Sequence, residues 1–210
     1  MDRDKLLELI TKAVIEELQY QKRRVPVGVS ARHIHVSRQD LDTLFGKGYQ
    51  LHKLKPLMAD DFASEETVTL VGPNLRTIER VRILGPERKR TQVEIARTDA
   101  VRLGVNPPVR PSGDVDGSAG IVVVGPKGAL NLKEGCILAN RHIHMTPADA
   151  EPIGLKDNDY VTVRAGGEKG AVLYNVQIRV NEKFDTEMHI DTDDANAIGV
   201  RCGDLVEIML

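Results

Sequence analysis

Two short runs hold four of the six histidines of this chain: Arg32-His33-Ile34-His35 and Arg141-His142-Ile143-His144. On a β-strand successive side chains point to opposite faces, so in each run the two histidines share one face and the isoleucine turns toward apolar packing. Two imidazoles side by side suit a borderline divalent metal, at about 2.0 to 2.1 Å per nitrogen for zinc. A single His-x-His is equally at home on a half-exposed strand. Repetition favours a common metal or catalytic centre, because the likeness continues. Val36-Ser37 matches Met145-Thr146 in type, and each hydroxyl residue opens a segment that reads as a capped helix.

Two further ligands are available. In Thr91 to Ala96, Val93 and Ile95 alternate against Gln92 and Glu94, which places Glu94 on the polar face of a strand. In Glu187 to Asp191, Met188 and Ile190 share one face and His189 takes the other. The candidates are then His33, His35, Glu94, His142, His144 and His189. Six exceed one tetrahedral zinc, so a two-metal centre is the economical reading, with Glu94 bridging or capping one ion. His52 reads as a surface residue and Asp60-Asp61 as a solvated turn. Arg88 lies in the basic loop Gly85-Pro86-Glu87-Arg88-Lys89-Arg90, six residues before Glu94. The planar fork of a guanidinium suits phosphate. The chain has no Gly-x-x-x-x-Gly-Lys-Ser/Thr, no Gly-x-Gly-x-x-Gly and no Gly-x-Ser-x-Gly, so ATP, dinucleotide and serine-nucleophile chemistry have no motif to rest on.

The elements that must position these residues are short. Residues 3 to 22 place Leu6, Ile10, Ala13, Val14 and Leu18 on one side of a helix and Lys5, Glu8, Lys12, Glu16 and Glu17 around the rest, followed by Lys22-Arg23-Arg24 and Pro26. Such a helix packs on its own domain or a subunit interface, or docks on another protein. From Val25 the texture changes to strands with Gly and Pro punctuation: Val25 to Ser30, Thr67 to Val71, Val81 to Leu84 and Thr91 to Ala96, with a short helix over Ser37 to Phe45. Asn106-Pro107-Pro108 through Ser112-Gly113 reads as a turn-rich link between halves. Strands at 120–125, 136–139, 160–163, 171–180 and 187–191 follow. The pattern Asp-Ala-x-x-Leu/Ile-Gly occurs at Asp99, Asp149 and Asp194, and marks a short helix with a Gly stop. Many short strands and few long helices predict a mainly β chain of two related β-barrel domains, over residues 25–112 and 113–210, preceded by an amphipathic helix over 1–24, with the sites near the junction.

Composition narrows the function classes. In 210 residues, 29% are charged yet the formal net charge is only -2, so no basic surface for nucleic acid is expected. Aromatics are 3% with no Trp, which removes base stacking as well. Cys136 and Cys202 stand outside any Cys-x-x-Cys spacing and read as buried thiols of a reducing compartment. No apolar run is long enough to span a bilayer and the start does not read as a secretory signal, so a cytoplasmic protein without membrane partners is expected.

Four ordered motifs resemble one family. They are Val29-Ser30-Ala31-Arg32-His33-Ile34-His35-Val36; Gly85-Pro86-Glu87-Arg88 with Thr91-Gln92-Val93-Glu94; Asn140-Arg141-His142-Ile143-His144-Met145; and Met188-His189-Ile190-Asp191 with Asn196. Together they resemble the PduL-type phosphate propanoyltransferases, phosphotransacylases associated with bacterial microcompartments. The resemblance spans residues 25 to 210 and implies a two-barrel enzyme with two zinc ions that exchanges coenzyme A for phosphate on a propanoyl or acetyl group. By position it implies His33, His35 and Glu94 as ligands of one zinc and His142, His144 and His189 of the other. It implies Arg88 at the phosphate, and Val29, Ser30, Ala31, Arg82 and Asn196 at coenzyme A, with Lys55 beside them. The expected partners are acyl-CoA, phosphate, acyl phosphate and a second copy of the chain. The N-terminal helix resembles peptides that direct cargo into a microcompartment lumen, toward shell or core proteins.

Two other readings stand beside this one: a metal-dependent hydrolase using zinc-bound hydroxide, and a zinc-stabilised scaffold that docks through its first helix. Dependence on phosphate separates the transferase from the hydrolase, and coenzyme A binding separates both from the scaffold.

Overall fold

Along residues 62–71, Phe62, Ser64, Glu66, Val68 and Leu70 turn inward while their neighbours face out. This period of two is what a half-buried strand requires, and it recurs through most of the molecule. The computed structural model describes residues 2–210. Helix α1 (Arg3–Lys22) leads into β1 (Arg24–Ser30), β2 (His33–His35), α2 (Arg38–Phe45), β3 (Lys53–Pro56), β4 (Phe62–Val71) and β5 (Thr77–Gly85). Then come β6 (Gln92–Glu94), α3 (Arg97–Leu103), β7 (Val109–Arg110), β8 (Ala119–Val124), β9 (Ala129–Ala139), β10 (His142–Met145) and α4 (Pro147–Ala150), which continues as a 3-10 turn over Glu151–Ile153. The chain ends with β11 (Tyr160–Ala165), β12 (Ala171–Val180), β13 (Glu187–Asp191), α5 (Thr192–Ile198) and β14 (Leu205–Met209).

The strands close into two barrels, so the chain is mainly β as its short strands predict. The second barrel runs in the order β1-β13-β10-β12-β11-β14. The first runs β9-β6-β2-β5-β4-β8, closed because β8 pairs with both β4 and β9, and it carries β3 and β7 on its flanks. The two orders correspond strand for strand. In each barrel the His-x-His strand lies parallel to one neighbour (β2 to β5, β10 to β12) and antiparallel to the other (β2 to β6, β10 to β13).

One exchange breaks the linear order. Strand β1, which runs into β2, belongs to the second barrel, and β9, which runs into β10, belongs to the first. The compact units follow suit: one holds the chain up to Gly28 with Arg141–His189 and Ala197–Leu210, the other Val29–Asn140 and Ile190–Asn196. The strand pairing therefore crosses the boundary expected at 112/113. Residues 119–139 hydrogen-bond to β4 and β6, and the expected link at 106–113 contains β7, which pairs with Leu138 and Ala139. Proline and glycine there mark tight turns within one barrel.

Each core is apolar. Ile34, Leu41, Leu70, Ile83, Val93 and Ile137 are fully buried in the first barrel, and Val25, Val27, Ile143, Met145, Ile178 and Met188 in the second. Helices α3 and α5 and the 3-10 turn each end at a glycine, Gly104, Gly199 and Gly154, with φ between +70 and +74°. A side chain would be strained in that left-handed conformation, which explains the thrice-repeated Asp-Ala-x-x-Leu/Ile-Gly pattern. Helix α1 has the expected bounds, and it leaves Leu7, Leu9, Ile10, Val14 and Leu18 about half or more exposed. No helix among the described residues is long and apolar enough to cross a membrane.

Candidate metal centre

In the first barrel the register sets His33 opposite Glu94 across β2 and β6, and residues paired this way project to the same face. His33, His35 and Glu94 bring one ligand atom each to within 4.8 Å of one another. His33 donates from Nδ1 to the Ala31 carbonyl at 2.9 Å, which turns Nε2 toward Glu94 Oε2, 3.5 Å away. His35 Nδ1 is buried with no hydrogen-bond partner. An unpaired polar atom in an interior is costly, and a cation accepting its lone pair would remove the cost.

The electrostatics of His35 and Glu94 agree with ligand chemistry. Burial, then the neighbouring His33, push His35 down to about 3, so its ring stays neutral. Burial also opposes charge on His33, but the Glu94 carboxylate outweighs it and raises His33 above its ordinary value. Burial would lift Glu94, yet His33 first and then His35 and Ser112 hold it well below the usual carboxylate range. A neutral imidazole and an ionised carboxylate are the forms a metal binds.

The second barrel repeats the arrangement. His142 pairs with His189 across β10 and β13, and His142, His144 and His189 again place ligand atoms within 4.8 Å of one another. His144 Nδ1 is the counterpart orphan, buried and unpartnered. Burial, then His142 and His189, push His144 down to about 2. The donor sets of both clusters, two imidazoles plus a carboxylate and three imidazoles, are of the kind that zinc accepts.

A polar network surrounds the first cluster. Ser112 Oγ donates to Glu94 Oε1 at 2.8 Å and accepts from Arg88 Nη1 at 3.5 Å, while Arg88 Nη2 donates to Asp61 Oδ2 at 3.0 Å. Gln92 Nε2 donates to Glu94 and to Ser112, and its Oε1 accepts from the Gly113 amide. Arg88 is half-buried and its own amide donates to the Val36 carbonyl, just past the His-x-His. Gln92 and Glu94 are both buried. The face read as polar is the one on which the candidate ligands gather. One expectation changes here. Asp61 sits in a turn as expected, but it is an ion-pair partner of Arg88.

The other expected residues fall as follows. Val29 and Ser30 end β1, Ala31 supplies the carbonyl that orients His33, and Arg82 pairs with His33 in register while donating to the Ser64 carbonyl at 2.6 Å. Lys55 lies on the exposed strand β3 and Asn196 is exposed on α5. His52 is exposed as expected, and it contacts the buried Glu66 carboxylate, Nδ1 to Oε1, at 2.7 Å. Cys136 is buried, which pushes its thiol up to about 12, whereas Cys202 is exposed, a correction, because it sits in the turn before β14.

Supporting residues escaped the sequence reading although their spacing carried a signal. The residue two before the third ligand shares its face. In the first barrel that residue is Gln92, whose amide donates to the Glu94 carboxylate; in the second it is Glu187, whose carboxylate accepts from His189 Nε2 at 2.8 Å. Three before each third ligand stands a threonine. Thr91 donates to Asp40 at the start of α2, and Thr186 donates to Asp149 at the start of α4. These bonds tie the strand carrying the third ligand to the helix that follows the other two.

The comparisons with known proteins point the same way. The phosphate propanoyltransferase family model matches residues 26–201. A phosphate propanoyltransferase of Lachnoclostridium phytofermentans is 54% identical over 98% of this chain and 99% of its own length. One from Thermotoga maritima is 52% identical over 96% and 99%, and one from Listeria monocytogenes 43% identical over 93% of each. With that match covering both histidine clusters, the chain belongs to the phosphate propanoyltransferase family.

Proposed function

We propose that this chain is an acyltransferase that interconverts a short acyl-CoA plus phosphate with acyl phosphate plus coenzyme A, acting on propanoyl and, more weakly discriminated, acetyl groups. One methylene is worth only about 1 to 3 kcal/mol in a pocket, so both chains are substrates. The observation that carries the reading is that each barrel holds a three-residue cluster with a buried orphan imidazole nitrogen, and that Arg88, a half-buried guanidinium, is bonded through Ser112 to Glu94 of the first. Family membership supports it.

His33, His35 and Glu94 would hold one zinc ion, and His142, His144 and His189 a second. Bound zinc supplies Lewis acidity toward a carbonyl oxygen or a departing thiolate. The chain's own groups do the rest. Arg88 presents its fork to phosphate in place of Asp61, and Ser112 fixes its aim relative to Glu94. Val29, Ser30, Ala31, Arg82 and Asn196 contact coenzyme A, with Lys55 beside them. A phosphate oxygen attacks the thioester carbonyl, the C–S bond breaks, and the sulfur leaves with the electron pair as coenzyme A thiolate. No side-chain nucleophile is required, and the Cys136 thiol is buried and stays protonated. The transfer is therefore direct, through a ternary complex.

Helix α1 serves a separate purpose. Its leucines and isoleucine lie exposed along a surface that water disfavours, which supports docking on microcompartment shell or core proteins.

Thiol release from propanoyl-CoA, followed with and without phosphate and before and after chelation, tests the reading. Release that needs both phosphate and metal is expected. Release that needs metal but not phosphate would make the protein a hydrolase, and none at all would leave a scaffold.

A further inference from the structure

At position 179 the second barrel carries a charge that the matching position of the first lacks. In the parallel pairing of β10 with β12, His142 aligns with Gln177 and His144 with Arg179, so Arg179 projects on the face that carries the three histidines. The aligned pair in the first barrel is His33 with Arg82, and two residues on from Arg82 stands Leu84. The second cluster therefore has a guanidinium beside His144 where the first has an aliphatic side chain.

Arg179 is half-buried, and no carboxylate among the described residues lies within ion-pair distance of it. Four half-buried or exposed arginines elsewhere are matched by carboxylates: Arg32 by Asp99, Arg38 by Glu87, Arg88 by Asp61 and Arg164 by Glu207. The nearest acidic residue on the flanking strand, Glu187, aligns with His144 from the other side, and its carboxylate is engaged by His189. A guanidinium cannot discharge by losing a proton, so partial burial among imidazoles leaves it in need of an anion. A cation held by those imidazoles would strengthen that need. The first cluster, with Glu94 and Asp61, has its own counter-charges.

We propose that Arg179 is a second phosphoryl-binding guanidinium, which holds a phosphoryl group of the substrates at the His142, His144 and His189 cluster. The proposal rests on the transferase reading for the identity of the anion. Its planar fork matches two phosphoryl oxygens at once, which a lysine ammonium at the same place would match only as a point charge.

The test compares the full-length, metal-loaded protein with Arg179→Gln and Arg179→Lys. Zinc content is measured by elemental analysis, thermal unfolding with and without inorganic phosphate, and KM separately for phosphate and propanoyl-CoA. Unchanged zinc content is expected in both variants, together with a rise of about 10- to 100-fold in the phosphate KM of Arg179→Gln and a smaller rise for Arg179→Lys. Inorganic phosphate alone should raise the unfolding temperature of the parent protein and not that of Arg179→Gln. A rise confined to the propanoyl-CoA KM would sustain the phosphoryl contact and move it to the phosphates of the coenzyme. Unchanged KM values with intact stabilisation by phosphate would overturn the proposal, as would loss of zinc from both variants. Should the parent protein release no thiol in a phosphate-dependent way, the transferase reading fails, and the unfolding measurement still judges Arg179 by itself.

Discussion

The two histidine clusters share a strand topology and differ in one residue. Both sit where a His-x-His strand meets an antiparallel neighbour, and both are completed by the residue opposite the first histidine: Glu94 in the first barrel, His189 in the second. The supporting residue two positions earlier differs in the complementary sense. A carboxylate ligand is met by an amide donor, Gln92, and an imidazole ligand by a carboxylate acceptor, Glu187. Strand register thus supplies the geometry, and the polarity of each supporting side chain follows the ligand it must orient. One cluster counts a carboxylate among its three residues and the other has three imidazoles with a carboxylate only beside them, so equal scaffolds present unequal electrostatics.

The strongest break of this comparison removes the orphan imidazole of one cluster at a time. His35→Ala and His144→Ala should each take zinc from two ions per chain to one, read by elemental analysis, and each should cut phosphate-dependent thiol release more than about 100-fold, beyond the usual loss from a supporting residue. If either variant kept both ions, the cluster concerned would not be a metal site. Next come the isoleucines on the reverse face of the same strands. Ile34 and Ile143 are both fully buried, so Ile34→Ala and Ile143→Ala should each cost about 2 to 5 kcal/mol in chemical unfolding. Near-equal losses would confirm that the two cores are built alike, whereas a loss in only one would show that the other tolerates a cavity.

Exchanging the supporting residues is a finer probe. Gln92→Glu sets a second carboxylate against Glu94, and Glu187→Gln removes the acceptor that orients His189. Each should weaken zinc at its own cluster by about 10- to 100-fold, measured by chelator competition, and leave the other cluster alone. Loss of both ions from either variant would show that the clusters are not independent.

Much of this was readable in advance, and the exceptions have physical causes. The two His-x-His strands, the capped helices after them and the left-handed glycines at 104, 154 and 199 all follow from local chemistry, and the structure places each as expected. Strand exchange does not follow from local chemistry. The alternation in Val25, Val27 and Val29, like the continuous apolar run before Ala139, fits a barrel wall without saying which barrel. How deeply Glu94 is buried is hidden for a related reason. Alternation separates two faces of β6, but a face lined by histidines is polar in sequence and enclosed in structure. Ser112 and Asp61 reach Arg88 and Glu94 from loops 18 to 27 residues away along the chain, and no spacing rule links them.

The smallest effect concerns the helix starts. Ser37 Oγ accepts from the Asp40 amide at 3.1 Å and Thr146 Oγ1 from the Asp149 amide at 3.2 Å, so each hydroxyl satisfies one otherwise unpaired donor. Removing either cap costs about 1 kcal/mol in a typical helix. The two sites are not equivalent, however, because Thr146 Oγ1 also donates to Asp149 Oδ2, the oxygen that accepts from Thr186 on the approach to β13. In the first barrel it is Thr91, not the cap, that donates to the matching carboxylate of Asp40. Thr146→Ala should therefore be the more costly of the two, near about 2 kcal/mol against about 1 for Ser37→Ala in equilibrium unfolding, and it should loosen the strand that carries His189. A double variant with Thr186→Ala separates the contributions: coupling between 146 and 186 is expected, and additive losses would mean that the cap alone accounts for the difference.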